Sequence, residues 1–95
     1  MEEVDIKAAI EVFKAISDLT RFRMVAFLVS KNLVSCKELS AKFNLSQPTL
    51  SHHFSKLEKA KVVTSQKQGT EKFYILNKNF IKNCGINYSL LEKMN

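Results

Sequence analysis

Two serines place helix starts close together in mid-chain, and this spacing limits the fold more than any other feature. Ser35 is followed three residues later by Glu38. In that pattern the serine oxygen accepts from a first-turn N–H, and the glutamate reaches back to the cap. Cys36, Leu39 and Phe43 then share one helical face. Asn44-Leu45 makes a turn, and Ser46 caps a new helix that tolerates Pro48 in its first turn. Leu50, Phe54 and Leu57 form the buried stripe of this second helix. A short helix, a tight turn and a second helix with its own cap is a helix-turn-helix.

The flanking segments extend the pattern. From Glu2 to Ile16, apolar residues recur at Ile6, Ala9, Ile10, Phe13 and Ile16, which predicts a helix. Ser17 or Asp18 offers the cap of another, with Phe22, Val25, Ala26, Leu28 and Val29 on one face and an end near Lys31–Asn32. After Ala60 the period changes. Val62-Val63-Thr64 favours a strand, Lys67-Gln68-Gly69-Thr70 a turn, and Lys72-Phe73-Tyr74-Ile75-Leu76 a second strand. A hairpin directly after the second helix of the motif is a wing. A last helix is expected from about Lys78, weakened by Gly85, with Leu90, Leu91 and Met94 apolar. No repeat, linker or low-complexity tract interrupts the 95 residues. The expectation is therefore one domain over residues 1–95. Its class is mainly α with a small β-hairpin, an α+β winged helix-turn-helix.

The charge is unevenly spread. The formal net charge is +6, and residues 37–82 carry all of it, with nine lysines against Glu38, Glu58 and Glu71. A polyanion would bind there. With Leu50, Phe54 and Leu57 inward, Gln47, Pro48, Thr49, Ser51, His52, Ser55 and Lys56 face outward or to the flanks, and no acid precedes Glu58 in this helix. Glutamine pairs with adenine in the major groove, and serine or threonine reaches base edges or phosphates. Lys56, Lys59 and Lys61 suit phosphates, while Lys67, Gln68, Gly69, Thr70 and Lys72 of the hairpin suit the flanking backbone or minor groove. The bland alternative is a set of caps and a solvated lysine surface, and each assignment alone is an even choice. Together with the motif, they point to double-stranded DNA. His53, three residues from Leu50, belongs to a flank or to packing. His52 and His53 diverge by about 100° on a helix and make a poor metal pair.

Other classes fit less well. The sequence has no glycine-rich phosphate loop, no nucleophile–base pair and no acid pair in a plausible cleft, which argues against an enzyme. No apolar run approaches the ~18 residues of a membrane span. The start, MEEVDIKAAI, lacks the basic and apolar regions of a signal peptide, so a cytoplasmic location without membrane contact is expected. A winged-helix module for protein interaction remains the second class. Cys36 and Cys84 match no zinc or disulfide spacing. Core packing is favoured for both over a redox or thiol switch.

The residues also resemble a known family. Ala15-Ile16-Ser17-Asp18-Leu19-Thr20-Arg21-Phe22-Arg23-Met24-Val25 is similar to a signature of ArsR/SmtB-type regulators, with Leu19 where a proline is usual. Lys37-Glu38-Leu39-Ser40, Ser46-Gln47-Pro48, Leu50-Ser51-His52-His53-Phe54, Lys67-Gln68-Gly69 and Phe73-Tyr74-Ile75-Leu76 follow in the family's order and spacing, over roughly residues 8–80. The resemblance implies a homodimer joined through the first and last helices, acting as a repressor on an imperfect palindrome and released by an effector. It departs from the family at the metal ligands. Where metal-sensing members carry Cys-x-Cys-Asp, this chain has Ser35, Lys37 and Glu38. Where others place ligands on the last helix, it has Lys78, Phe80, Leu91 and Met94. No cofactor and no metal sensing at either family site is expected.

Overall fold

The computed structural model describes residues 5–94. Four helices begin at oxygen-bearing caps. Asp5 accepts from the Ala8 N–H at 2.7 Å and opens α1, Ile6–Ile16. Asp18 accepts from Arg21 N–H at 3.0 Å and opens α2, Leu19–Leu28. Ser35 accepts from Glu38 N–H at 3.1 Å and opens α3, Cys36–Phe43. Ser46 accepts from Thr49 N–H at 3.3 Å and opens α4, Gln47–Lys59. Each bond satisfies one of the N–H groups that a helix start leaves unpaired. The predicted start of the first helix at Glu2 lies outside the described residues.

The turn between α3 and α4 is held by Asn44, which sits in the left-handed region at φ 53°. Leu45 N–H returns to the Ser40 carbonyl at 3.1 Å, and the Ser40 hydroxyl donates to the Leu45 carbonyl. The corner is thus closed by backbone and side chain together.

The wing contains one strand more than a hairpin. β2, Val63–Gln68, pairs antiparallel with β3, Glu71–Leu76, from Val63↔Leu76 to Gln68↔Glu71. β1, Val34–Ser35, adds to the other edge of β3 through Val34↔Tyr74 and Ser35↔Phe73. The sheet order is β1-β3-β2. The turn is shorter than expected. Lys67 and Gln68 belong to β2, and only Gly69-Thr70 lies between the strands. Gly69 takes the first turn position at φ +65°, which a two-residue hairpin requires of glycine more readily than of other residues.

α2 ends at Leu28 rather than near Lys31–Asn32, because the chain must leave the helix in time to bring Val34 beside Tyr74. The last helix is divided. Gly85, at φ +91°, separates α5, Lys78–Asn83, from α6, Tyr88–Leu91.

The core lies where α2, α3, α4 and the sheet meet. Met24, Leu28, Leu39, Leu50, Phe54, Leu57 and Tyr74 are fully buried, each large apolar side chain stabilising the fold by about 1.5–3 kcal/mol. Phe54 stacks on Tyr74 with ring centroids 4.2 Å apart, joining α4 to β3. On α1 the core contact is made by Val12 and Ala15. Ile6, Ile10 and Phe13, the stripe that the periodicity picks out, are exposed at 77%, 45% and 50%.

Candidate nucleic-acid interface

With one flank of α4 pinned by Leu50, Phe54 and Leu57, the opposite face is free. Gln47, Pro48, Thr49, Ser51, His52, Ser55, Lys56 and Lys59 are all exposed. Seven of them are the predicted site residues of this helix, and they share one continuous surface. Thr49 has a second duty, since its Oγ1 accepts from the Ser46 hydroxyl at 2.9 Å within the cap. The first turn of α4 holds no acid, so nothing there offsets the partial positive charge of the helix start.

The two histidines separate as their spacing dictates. His52 is exposed, whereas His53 is half-buried, and its Nδ1 lies 3.4 Å from Arg21 Nη1. Arg21 also donates from Nε to the Ala15 carbonyl at 2.6 Å and approaches Asp18 at 4.0 Å. Burial lowers the His53 pKa; Asp18 opposes the shift and Arg21 adds to it. His53 therefore ties α4 to the start of α2 as a neutral ring.

The wing flanks α4 on the other side. Directly opposed residues of an antiparallel pair share a face, so Ser65, Lys67, Lys72 and Tyr74 lie on the side that meets α4. Lys67, Gln68, Gly69, Thr70 and Lys72 are exposed. Lys72 is nevertheless engaged: its Nζ lies 3.5 Å from Glu58 Oε1 and 5.3 Å from the centre of the Tyr74 ring. Burial works against its charge, but Tyr74 and Glu58 outweigh it and hold its pKa above the ordinary value. Lys67 is the more available of the two wing lysines.

Between α4 and the wing runs a groove of about 350 Å³ lined by Cys36, Lys37, Gln47, Ser51, Thr70, Glu71 and Lys72. It brings together four predicted DNA residues and places Cys36 beside them. Cys36 is half-buried and packs partly on the core. Cys84 is also half-buried, and burial raises its pKa, which suits a packing thiol. On its far flank, α4 borders a cleft of about 270 Å³ whose lining includes Lys14, Arg21, Lys56 and Lys59. Both flanks of the exposed α4 face thus carry lysines, with Glu11 in one lining and Glu71 in the other.

Sequence reasoning passed over Glu58 and Ser65, which link α4 to β2, and Arg21, which links it to α2. Glu58 had one visible signal: it is the only acid in α4. Among the described residues no group of three or more histidine, cysteine or acidic side chains is placed to hold a metal.

Comparison with known proteins agrees with this geometry. A helix-turn-helix domain family matches residues 16–66. The chain is 35% identical over 79 residues to the transcriptional repressor SdpR of Bacillus subtilis (strain 168), covering 83% of this chain and 86% of that protein. It is 34% identical over 81 residues to the arsenical resistance operon repressor of Staphylococcus xylosus, covering 85% and 77%. Its fold is similar to that of HlyU from Vibrio cholerae N16961, with a TM-score of 0.79 and 27% identity over 93% of this chain and 91% of that one. It is also similar in fold to a homodimeric winged helix-turn-helix DNA-binding domain from Mycobacterium bovis, with a TM-score of 0.77 and 15% identity over 94% and 79%.

Proposed function

The chain belongs to the ArsR/SmtB-type helix-turn-helix transcriptional regulators, and from that premise we propose that it is a homodimeric repressor of an imperfect DNA palindrome. It is a DNA-binding regulator and not an enzyme. One observation carries the finer reading: the acid-free polar face of α4, from Gln47 to Lys56, stands clear of the core and beside a basic wing. In this reading Gln47, Thr49, Ser51, His52 and Ser55 meet base edges or nearby phosphates. Lys56, Lys67, Gln68 and the Gly69-Thr70 turn grip the backbone.

The dimer is supported by unpartnered apolar surface at both ends of the chain. Ile6, Ile10 and Phe13 of α1 and Leu90 and Met94 near α6 are exposed, and both helices pack on α2. A two-fold dimer that binds a palindrome presents its two recognition helices about one DNA turn apart. The chain works as one domain over residues 1–95. Among the described residues no helix is long and apolar enough to cross a membrane, in keeping with a cytoplasmic repressor.

The family's metal chemistry does not fit the residues present. At the start of α3, the positions of the two thiolates hold Ser35 and Lys37, and the Ser35 oxygen already serves as the helix cap. Lys78, Phe80, Leu91 and Met94 offer no imidazole or carboxylate at the other site. Repression is therefore independent of metal at these positions.

A second reading, thiol-responsive repression, is favoured by the place of Cys36 in the groove beside Gln47 and Ser51. An oxidised or adducted sulfur there would crowd the reading face. Selection from a random duplex library with reduced, metal-free protein tests the first reading. Enrichment of a two-fold symmetric site supports it; no enrichment at low salt points to a protein-interaction module. Repeating the selection after mild oxidation tests the second, since Cys36→Ser should then preserve any enrichment that the wild type loses.

A further inference from the structure

We propose that Glu58 is a positioning residue for DNA recognition, holding the wing at a fixed angle to α4 through both of its strands. The inference rests on the DNA reading above. One carboxylate reaches two strands: Glu58 Oε2 accepts from the Ser65 hydroxyl of β2 at 3.1 Å, and Oε1 meets Lys72 Nζ of β3 at 3.5 Å. Lys72 in turn lies against Tyr74, whose ring stacks on Phe54 in the same helix as Glu58. The loop of contacts runs from α4 to β2, across to β3 and back to α4.

Charge placement gives this loop a reason. Lys67 and Lys72 stand directly opposite each other on the wing's α4-facing side, where like charges repel. Glu58 neutralises one of them and draws it towards the helix. Lys67 is left to project, so the two lysines have different tasks. Lys67 meets the backbone, and Lys72 sets the wing. An acid this close to a DNA-binding surface otherwise opposes binding, and its presence is explained by what it holds.

Two accounts of Glu58 therefore predict different outcomes. If it is only a surface acid, Glu58→Ala removes repulsion and tightens binding to every duplex. If it positions the wing, Glu58→Ala lowers the ratio of specific to non-specific affinity by roughly three- to tenfold, through loss of complementarity rather than of attraction. Glu58→Gln, which keeps a side-chain oxygen for Ser65 but not the charge for Lys72, should recover part of that ratio. Lys72→Met added to Glu58→Ala should change little further, because the two residues act as one unit.

The test compares wild type, Glu58→Ala, Glu58→Gln and Glu58→Ala/Lys72→Met in two measurements. Amide hydrogen exchange on free protein reads the wing directly. Anisotropy titrations with a selected and a scrambled duplex read its effect on recognition. Faster exchange confined to residues 63–76, with a reduced specificity ratio, is the expected result. Unchanged wing exchange, or tighter binding to both duplexes with the specificity ratio unchanged, would overturn the proposal. If wild type fails to distinguish the duplexes, the DNA reading fails on its own, and the exchange data still decide whether Glu58 holds the wing.

Discussion

Three residues in left-handed conformation end three helices. Asn44 follows α3, Lys61 follows α4, and Gly85 follows α5. Each is succeeded by an N–H that returns to a carbonyl five residues back: Leu45 to Ser40 at 3.1 Å, Val62 to Leu57 at 2.9 Å and Ile86 to Ile81 at 3.2 Å. At Gly85 an added Cβ would meet nothing within 4 Å, so only the backbone resists it. Gly85→Ala should cost about 1–2 kcal/mol in urea denaturation. An unchanged midpoint would mean that α5 and α6 do not need the break. The His53 ring gives a second prediction at this scale. Its folded pKa lies below the ordinary 6.5, so the unfolded chain takes up the proton first as pH falls. Stability is fully present above pH 6.5 and is lost as pH falls through the folded value. Asp18, lowered mainly by the bond from Arg21 N–H, adds a separate loss that begins below its ordinary 3.8. Thermal melts of His53→Gln should lack the first of these two declines and keep the second.

At the scale of elements, what was legible in the sequence was what is decided locally. The caps at Ser35 and Ser46 and the stripe Leu50, Phe54, Leu57 need only neighbours within a turn or two and stand where they were expected, while of Ser17 and Asp18, both open as the cap of α2, Asp18 takes the role. β1 is two residues long and has no pattern of its own; its pairing with Phe73 and Tyr74 exists only once β3 is in place. Glu58 likewise has no meaning until β2 and β3 come beside α4. The exposed faces of α4 and the wing were legible as surfaces, while the engagement of Lys72 was not. The wing yields a prediction of its own. Lys67→Ala should weaken all duplexes alike and reduce the salt slope of binding by about one unit. A change in base preference would instead place Lys67 among the readers.

At the scale of the molecule, two surfaces stand exposed among the described residues of one chain. One is basic and polar, around α4 and the wing. The other is apolar, from Ile6, Ile10 and Phe13 to Leu90 and Met94. In the proposed reading, DNA covers the first and a second copy of the chain the second. Ile10→Asp should give a folded monomer in sedimentation velocity and weaken binding to a symmetric site by about a hundredfold, since two linked half-sites bind far more tightly than one. A variant that stays dimeric would move the interface elsewhere. The central claim is that the start of α4 reads bases, and Gln47 tests it most directly. The measurement is the binding free energy of wild type and Gln47→Ala across every single-base variant of a selected duplex. The account predicts a loss of preference of about 1–3 kcal/mol at one position in each half-site, with the others unchanged. An equal loss at all positions, or none, would contradict it.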